Sequence, residues 1–555
     1  MINLQRRRIS VLAAALLSAS SAARAQENAA ARSAESVAVL RVSPALSAPV
    51  LAPSALTGPS LAALAAPLTP APAAAPAAAV PAAPAAVAPE AGAALAPSFA
   101  ALADETFSAA RVDGSAARAD AATAARAPRS TAAELASVLP DEPLEALFDG
   151  ARRPNAGGSR IALLAHPGES FAARAQMLSS ARRTIDAGYF HFVPDETGLT
   201  KLALLRAAAR SGRRVRLLLD PFGNELSKAM LRHLIDEGVE VRIYHPMTLQ
   251  HLSWFWRRSH DKWTIVDGEE MIVGDSNMAD PYFGRGAAPW RSREAYVSGK
   301  AARQGRAYVD EIWNGREARA PRGLDKVSAA EIADAARLVD AHEPADASAA
   351  ARPWAERAHA TDVRFVRNGL RRPHVRGGIG TDLLELIRSA KSTIVIENAY
   401  VSLPKVFLAE LERAIRERGV RVVVITNSRA SNNQRLAAHA YEFDAPALVR
   451  IGAEVYEFDG PGTLHAKGLV VDGRRAYIGS FNLNPWSFLF NTETGVIADD
   501  HPAFARDLLE RMEQTRRMST PIARGGVWLT NRAGRARMRR RFLFVALLRR
   551  LVLGV

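Results

Sequence analysis

Residues 259–277 read SHDKWTIVDGEEMIVGDSN, and residues 464–482 read LHAKGLVVDGRRAYIGSFN. Both contain the pattern H-x-K-x-x-x-x-D: His260, Lys262 and Asp267 in the first, His465, Lys467 and Asp472 in the second. Each places an asparagine seventeen positions after its histidine, at Asn277 and Asn482. Apolar runs flank Asp267-Gly268 and Asp472-Gly473, and Asp-Gly between such runs is a strong hairpin signal. Positions i and i+2 of a strand share a face, so His and Lys point into one pocket. The returning strand brings the asparagine to the same cluster. Imidazole, ammonium, amide and hydroxyl donors together suit a phosphate, because they offset charge on its non-bridging oxygens. Imidazole can also attack phosphorus or shuttle a proton near neutral pH. One H-x-K is a weak signal, usually a surface strand with an incidental histidine; two complete copies in matching places are a strong one.

Working outward, the chain repeats itself. The first pass predicts helix 171–183, strand 184–192, helix 199–211, strand 214–220, helix 225–237 and strand 240–244, then the hairpin 262–266 and 271–273. The second predicts helix 381–390, strand 392–400, helix 404–418, strand 420–426, helix 432–451 and strand 454–458, then the hairpin 468–471 and 476–478. The αβαβαβ order with apolar strands argues for α/β layering with buried strands. A period this long is a domain duplication, not a solenoid.

The paired motifs resemble the HKD signature of the phospholipase D superfamily. Gly479-Ser480-Phe481-Asn482 matches its GSxN segment, and Asn491-Thr492-Glu493 matches its downstream N-x-E. The segments 274–284 and 480–487, with Leu217-Leu218-Leu219-Asp220 and Thr426-Asn427-Ser428, are similar to the cardiolipin synthase branch. The resemblance covers about residues 156–520, with the basic, apolar tail beside it. It implies an α/β fold of two similar α/β/α-layered phospholipase D-like halves, with a pseudo-twofold active site at their seam. One histidine would form a phosphohistidine, and the other would protonate the leaving alcohol and then activate the acceptor. No cofactor and no metal are implied.

Carried over residue by residue, the catalytic set is His260, Lys262, Asp267, His465, Lys467 and Asp472. His260 is assigned as nucleophile and His465 as general acid and base, by the family's usual order. Asp267 and Asp472 head the turns, where a structural task is expected of them. Lys262, Lys467, Asn277, Asn482 and Ser480 would hold phosphoryl oxygens. Glu493 would orient an imidazole through its ring N–H, and Glu294 is taken as its counterpart in the first half. Asp275 departs from the pattern: it stands where the family often has Gly and the second half has Ser480. A carboxylate aimed at a phosphodiester repels it, so Asp275 points away, pairs with a nearby cation, or is held protonated.

The remaining sequence concerns location. Arg6, Arg7 and Arg8, the apolar run 9–17 and Ala23-Arg24-Ala25 have the layout of a secretory signal peptide over residues 1–25. Residues 26–155 are rich in Ala and Pro, which disfavours long helices and strand ladders, and read as a disordered spacer. Half 1 is placed at 156–330, a connector at 331–370, half 2 at 371–520 and a basic amphipathic tail at 521–555. The 555-residue chain carries +15. Residues 1–25 hold four arginines and residues 521–555 hold nine, with no acids in either, which leaves only +2 for everything between. A near-neutral body speaks against bulk nucleic-acid binding, and the tail's arginines beside Phe and Leu suit an anionic membrane surface. The Trp254-Phe255-Trp256 run with Arg257-Arg258, and the 486–490 aromatic stretch, fit lipid contact, the latter equally core packing. With no cysteine, disulfides, thiolate metal sites and a lipidated thiol are excluded.

The expected function is therefore a membrane-associated phosphatidyltransferase of cardiolipin-synthase type, exported to the cell envelope on the periplasmic side. It would act on phospholipids such as phosphatidylglycerol at an anionic phospholipid membrane, with no specific nucleic-acid partner. Three alternatives stay open: a phospholipase D hydrolase giving phosphatidic acid, a metal-independent nuclease, and a non-catalytic lipid-binding scaffold.

Overall fold

The computed structural model describes residues 158–164, 166–246, 257–286, 288–370 and 378–529. The signal peptide, the whole spacer, Trp254 to Trp256 and the tail beyond residue 529 lie outside them.

The first half runs β1 (Ser159–Leu164), α1 (Pro167–Ser180), β2 (Thr184–Phe192), α2 (Glu196–Arg210), β3 (Arg214–Asn224), α3 (Lys228–Asp236), β4 (Val239–Tyr244), β5 (Lys262–Val266), β6 (Glu270–Gly274), β7 (Glu294–Gly299), α4 (Lys300–Asn314) and β8 (Ala318–Arg319). A bridging stretch follows, with α5 (Ala329–Asp340), α6 (Pro353–Glu356) and β9 (His359–Thr361). The second half runs β10 (Val363–Arg367), α7 (Ile379–Arg388), β11 (Thr393–Asn398), α8 (Lys405–Arg418), β12 (Arg421–Asn427), α9 (Arg435–Ile451), β13 (Glu454–Phe458), β14 (Lys467–Val471), β15 (Arg475–Gly479), α10 (Pro485–Leu489), β16 (Thr494–Ala498), α11 (Pro502–Arg517), β17 (Ser519–Arg524) and β18 (Val527–Trp528).

The duplication expected from the sequence is present strand for strand. One sheet has the order β8-β4-β3-β2-β5-β6-β7-β1-β9, and the other, read from its far edge, β18-β17-β13-β12-β11-β14-β15-β16-β10. Without β9 and β18 the two orders are the same. In each sheet three strands are parallel, β2-β3-β4 and β11-β12-β13, joined by helical crossovers. The motif hairpin then pairs antiparallel beside the innermost of them.

Burial makes the layers. Ile185, Leu202, Leu217 and Leu234 belong to a core between the first sheet and α1–α3. Ile387, Leu411, Val424 and Leu448 belong to its counterpart under α7–α9. A third core joins the halves: Trp263 and Val273 of the first sheet meet Val470 and Ile478 of the second, with Val309 and Ile312 of α4 and Leu508 and Met512 of α11. Both motif hairpins thus back onto one shared apolar layer, which fixes them relative to each other.

Three boundaries differ from the sequence expectation. Val363–Arg367, placed in the connector, is a strand of the second sheet, paired with β16. His359–Thr361, also placed there, extends the first sheet at β1. The tail begins later than residue 521, because β17 pairs with β13 and β18 with β17. Arg524 there pairs with Glu454 at 3.1 Å. Among the described residues no helix is long and apolar enough to cross a bilayer. In the 486–490 stretch Phe488 packs into the core under α7–α9, and Trp486 and Phe490 lie half-buried against each other with ring centroids 5.8 Å apart.

Candidate active site

The two hairpin turns are built alike. Asp267 and Asp472 both adopt a left-handed backbone (φ 52° and 53°), each followed by a glycine at positive φ, the geometry of a type I′ turn. The Asp267 carboxylate accepts backbone N–H bonds from Arg182, Arg183 and Thr184 at 2.7–2.9 Å. Asp472 accepts from Lys391, Ser392 and Thr393 at 2.8–2.9 Å. Burial alone would raise both carboxyls, but these N–H donors outweigh it and hold them below the usual range. Counted with the catalytic set in the motif, both aspartates are turn clamps at the far end of the hairpins. Asp472→Ala is expected to cost about 2 kcal/mol of stability through the lost N–H acceptor. It should leave the rate per folded molecule within roughly twofold, since the residue touches no reacting group. Denaturant melts and kcat check this; a tenfold loss of kcat at full folding would return Asp472 to the chemistry.

At the near end each motif docks on the opposite half. Ser259 bridges Thr492, and the His260 N–H donates to the Thr492 carbonyl at 3.1 Å. Leu464 bridges Arg291, and the His465 N–H donates to the Arg291 carbonyl at 2.8 Å. These reciprocal bridges carry both imidazoles to the seam, where His260 is 8% and His465 3% exposed.

His260 is held from the second half. Its Nδ1 lies 3.0 and 2.9 Å from the two oxygens of Glu493. Glu493 in turn accepts from Ser480 Oγ at 2.5 Å and Ser487 Oγ at 2.6 Å. Its expected role as an orienting carboxylate therefore has the geometry it needs, and Ser480, expected among the phosphoryl donors, gives its hydroxyl to Glu493. Phe190 stands edge-on to the His260 ring at 5.2 Å. Around His465 lie Tyr282, Trp290 and Tyr400, with centroids 5.0, 5.6 and 6.0 Å away.

The lysines are fully buried. Lys262 Nζ donates to the His260 carbonyl at 2.5 Å. Lys467 Nζ lies 3.2 and 3.3 Å from the His465 ring nitrogens. Asn277 accepts from the His191 N–H at 3.0 Å and donates to Tyr282 Oη at 2.9 Å. That makes it a support for the aromatic wall. Asn482 is different: its buried Oδ1 has no protein partner among the described residues.

Glu294 is not the counterpart of Glu493. Its carboxylate is bound by the Arg174 guanidinium (Nη1–Oε2 2.7 Å) and by Ser170, inside the first half's core. The sheet register shows why. Gly274 pairs with Glu294 where Gly479 pairs with Gly495, so Glu294 aligns with Gly495 and Ser292 aligns with Glu493.

Desolvation dominates the electrostatics. Burial, reinforced by Lys262 and Lys467, pushes both imidazoles well below the usual histidine range, so they are neutral in the resting site. Burial lowers Lys262 to about 7 and Lys467 to about 8, against the pull of the nearby carboxylates. Burial likewise raises Glu493 to about 8. An arriving phosphodiester anion favours the charged form of both lysines, so the site is poised to strengthen its grip as substrate enters.

The sequence did not single out three further participants. Asp261 points away from His260 and Lys262 and accepts from Tyr308 Oη and Ser259 Oγ, both at 3.1 Å, and from Thr492 Oγ1 at 2.5 Å. It braces the bridge that carries His260. Arg293 crosses the seam to Glu397 at 3.0 Å. The Tyr282–Trp290–Tyr400 wall draws on three separate segments and has no motif of its own. Among the described residues no group of three or more His, Asp or Glu side chains is placed to hold a metal ion.

Comparison with known proteins agrees with this geometry. The family described as "Cardiolipin synthase, PLD-like domain" matches residues 175–288 and 383–516, one stretch in each half. Cardiolipin synthase C of Escherichia coli is 27% identical over 379 residues, covering 60% of this chain and 79% of that protein. Cardiolipin synthase of Alkalihalophilus pseudofirmus is 27% identical over 347 residues, and this chain spans 63% of its length. Among solved structures, phosphatidylserine synthase of Haemophilus influenzae superposes with a TM-score of 0.56 at 15% identity, covering 74% of this chain and 98% of that one. That likeness concerns the fold. With two matching sheets, a reciprocal seam and a complete motif from each half, the chain belongs to the phospholipase D superfamily and is cardiolipin synthase-like.

Proposed function

We propose that this enzyme moves a phosphatidyl group between phospholipids, with the glycerol hydroxyl of phosphatidylglycerol as acceptor and cardiolipin as product. The observation that carries the reading is the seam itself. Two neutral, buried imidazoles from opposite halves are flanked by two buried lysines, and His260 is oriented at Nδ1 by Glu493. With Glu493 ionised beside the charged Lys262 and Lys467, Nδ1 carries the proton toward it and Nε2 keeps its lone pair for phosphorus. Lys262 and Lys467 offset charge on the phosphoryl oxygens, and an Asn482 amide N–H donates to one of them. With the phosphodiester anion bound, His465 takes up a solvent proton at Nε2 and gives it to the leaving alcohol as the P–O bond breaks, and a phosphohistidine forms on His260. His465 then takes the proton of the incoming hydroxyl, which attacks phosphorus and restores His260.

The apolar wall of Tyr282, Trp290 and Tyr400 beside His465 favours an alcohol acceptor over bulk water. The relatives bearing the name cardiolipin synthase support the same acceptor. Export by residues 1–25 and attachment to an anionic lipid surface through the arginine-rich tail complete the proposal.

The test is incubation of the purified full chain with phosphatidylglycerol liposomes, with and without phosphatidylethanolamine, followed by lipid mass analysis. Cardiolipin is expected. Phosphatidic acid in its place would identify a hydrolase, and no lipid product would overturn the assignment.

A further inference from the structure

Each half places one hydroxyl and one carboxylate side chain at the same two positions beside the seam, in exchanged order. In the second half, Ser480 follows β15 and Glu493 precedes β16. The Ser480 N–H donates to the Thr494 carbonyl at 2.9 Å. In the first half, the Asp275 N–H donates in the same way to the Arg293 carbonyl at 3.3 Å. Asp275 thus occupies the Ser480 position, and Ser292 the Glu493 position. Where one half has hydroxyl then carboxylate, the other has carboxylate then hydroxyl.

The side chains follow this exchange. Asp275 Oδ2 is taken up by the backbone N–H groups of Arg293 at 2.9 Å and Lys467 at 3.2 Å. That leaves Oδ1 facing His465 Nδ1 at 3.5 Å, across the seam. Ser292 lies beside Asp275, but its hydroxyl makes no hydrogen bond there among the described residues, whereas Ser480 donates to Glu493. Asp275 is fully buried and does not point into solvent. Its fixed Oδ2 prevents it from swinging toward a phosphoryl group, which removes the repulsion that its position in the motif implies.

We propose that Asp275 is the positioning carboxylate of His465, having taken over by strand exchange the task that Glu493 performs for His260. Each histidine then receives its carboxylate from the opposite half, His260 from Glu493 and His465 from Asp275. Both rings are held at Nδ1, and both present Nε2 to the substrate. The charged and titratable groups around Asp275 include Lys467, His465, Tyr400 and Tyr477 across the seam and Lys262, Tyr282 and Glu294 in its own half. Burial raises its carboxyl to about 7, opposed first by Lys467 and then by the Arg293 N–H. Its ionised form is therefore favoured when Lys467 is charged.

The inference builds on the histidine chemistry proposed above, so one arm of the test does not depend on lipid turnover. In full-length protein labelled with 15N-histidine, His465, assigned by loss of its signal in His465→Gln, should carry its proton on Nδ1. In Asp275→Asn that tautomer should be lost or mixed. In the turnover arm, Asp275→Ser should lower kcat by ~10²-fold or more with KM within about threefold, as when an orienting carboxylate is removed. The double variant Asp275→Ser, Ser292→Glu rebuilds the second half's arrangement and should recover at least tenfold of that loss. A merely structural role for Asp275 predicts no recovery. An unchanged His465 tautomer in Asp275→Asn, or no recovery in the double variant, overturns the proposal. If no cardiolipin forms but the tautomer shift is seen, the lipid assignment falls and the positioning role stands.

Discussion

His260→Asn and His465→Asn are each expected to lower lipid transfer by about 10⁴-fold or more, near 5.5 kcal/mol of transition-state stabilisation. The double variant should be scarcely worse than the poorer single one. Groups that act as a unit are strongly non-additive, because removing either leaves the other without a task. The roles separate with a phosphodiester whose leaving group is a nitrophenolate. Such a group departs without a proton, so His465→Asn should still form the phosphohistidine and release one burst of nitrophenol. His260→Asn should show no burst, having lost the nucleophile. Trapping of a base-stable, acid-labile adduct on the intact chain locates the phosphoryl group. A burst from His260→Asn, absent from His465→Asn, would reverse the assignment. Either variant retaining more than a tenth of wild-type turnover would remove the histidines from the mechanism.

What the sequence showed, and what it did not, divides along a physical line. Strands β2 and β13 were legible to the residue, as 184–192 and 454–458, because each is a short stretch rich in β-branched and aromatic residues that follows a helix end. The hairpins were legible because Asp-Gly fixes both turn type and register. The strands β1, β7, β10 and β16 went unread. Their pairing is long-range, Ser159 with Gly299 and Val363 with Ala498, and a short strand has no local signal for a partner that distant. The same limit explains Glu294. Counting forward from Asn277 and Asn482 cannot align the two halves, because fifteen residues separate Asn277 from Ser292 and eleven separate Asn482 from Glu493. A carboxylate near the right distance was chosen on residue type. Only cross-strand register shows that Glu294 aligns with Gly495 and faces Arg174. The tail was read from composition alone, and its first residues proved to belong to strand β17, which pairs with β13 and buries both Ile522 and Ala523.

Glu493→Gln should separate catalysis from stability more sharply than any other single change. The amide keeps the shape but can donate where the carboxylate only accepts. Facing His260 Nδ1, it favours the tautomer with the proton on Nε2, which cannot attack phosphorus. A loss of about 10³–10⁴-fold in kcat is expected, the scale seen when an orienting aspartate becomes asparagine in a hydrolase triad, with KM little changed because no substrate contact is removed. Stability should move the other way. Burial raises Glu493 from the model-peptide value of 4.5 to about 8 in the fold. Its folded pKa lies above its unfolded one, so the native state binds more protons between those values. The contribution of Glu493 to stability is complete below about pH 4.5 and is lost as pH rises toward 8. Glutamine has no such dependence. The variant should therefore match wild type near pH 4.5 and gain in thermal midpoint as pH approaches 8, while being nearly inactive throughout. A variant that is less stable at every pH would mean that Glu493 is held for structure, and one that keeps a tenth of wild-type kcat would mean that His260 needs no orienting carboxylate. The opposite signs arise from one cause: the site keeps an ionisable carboxyl in a place where burial opposes its charge, and what that charge does for His260 is worth more to the reaction than it costs the fold.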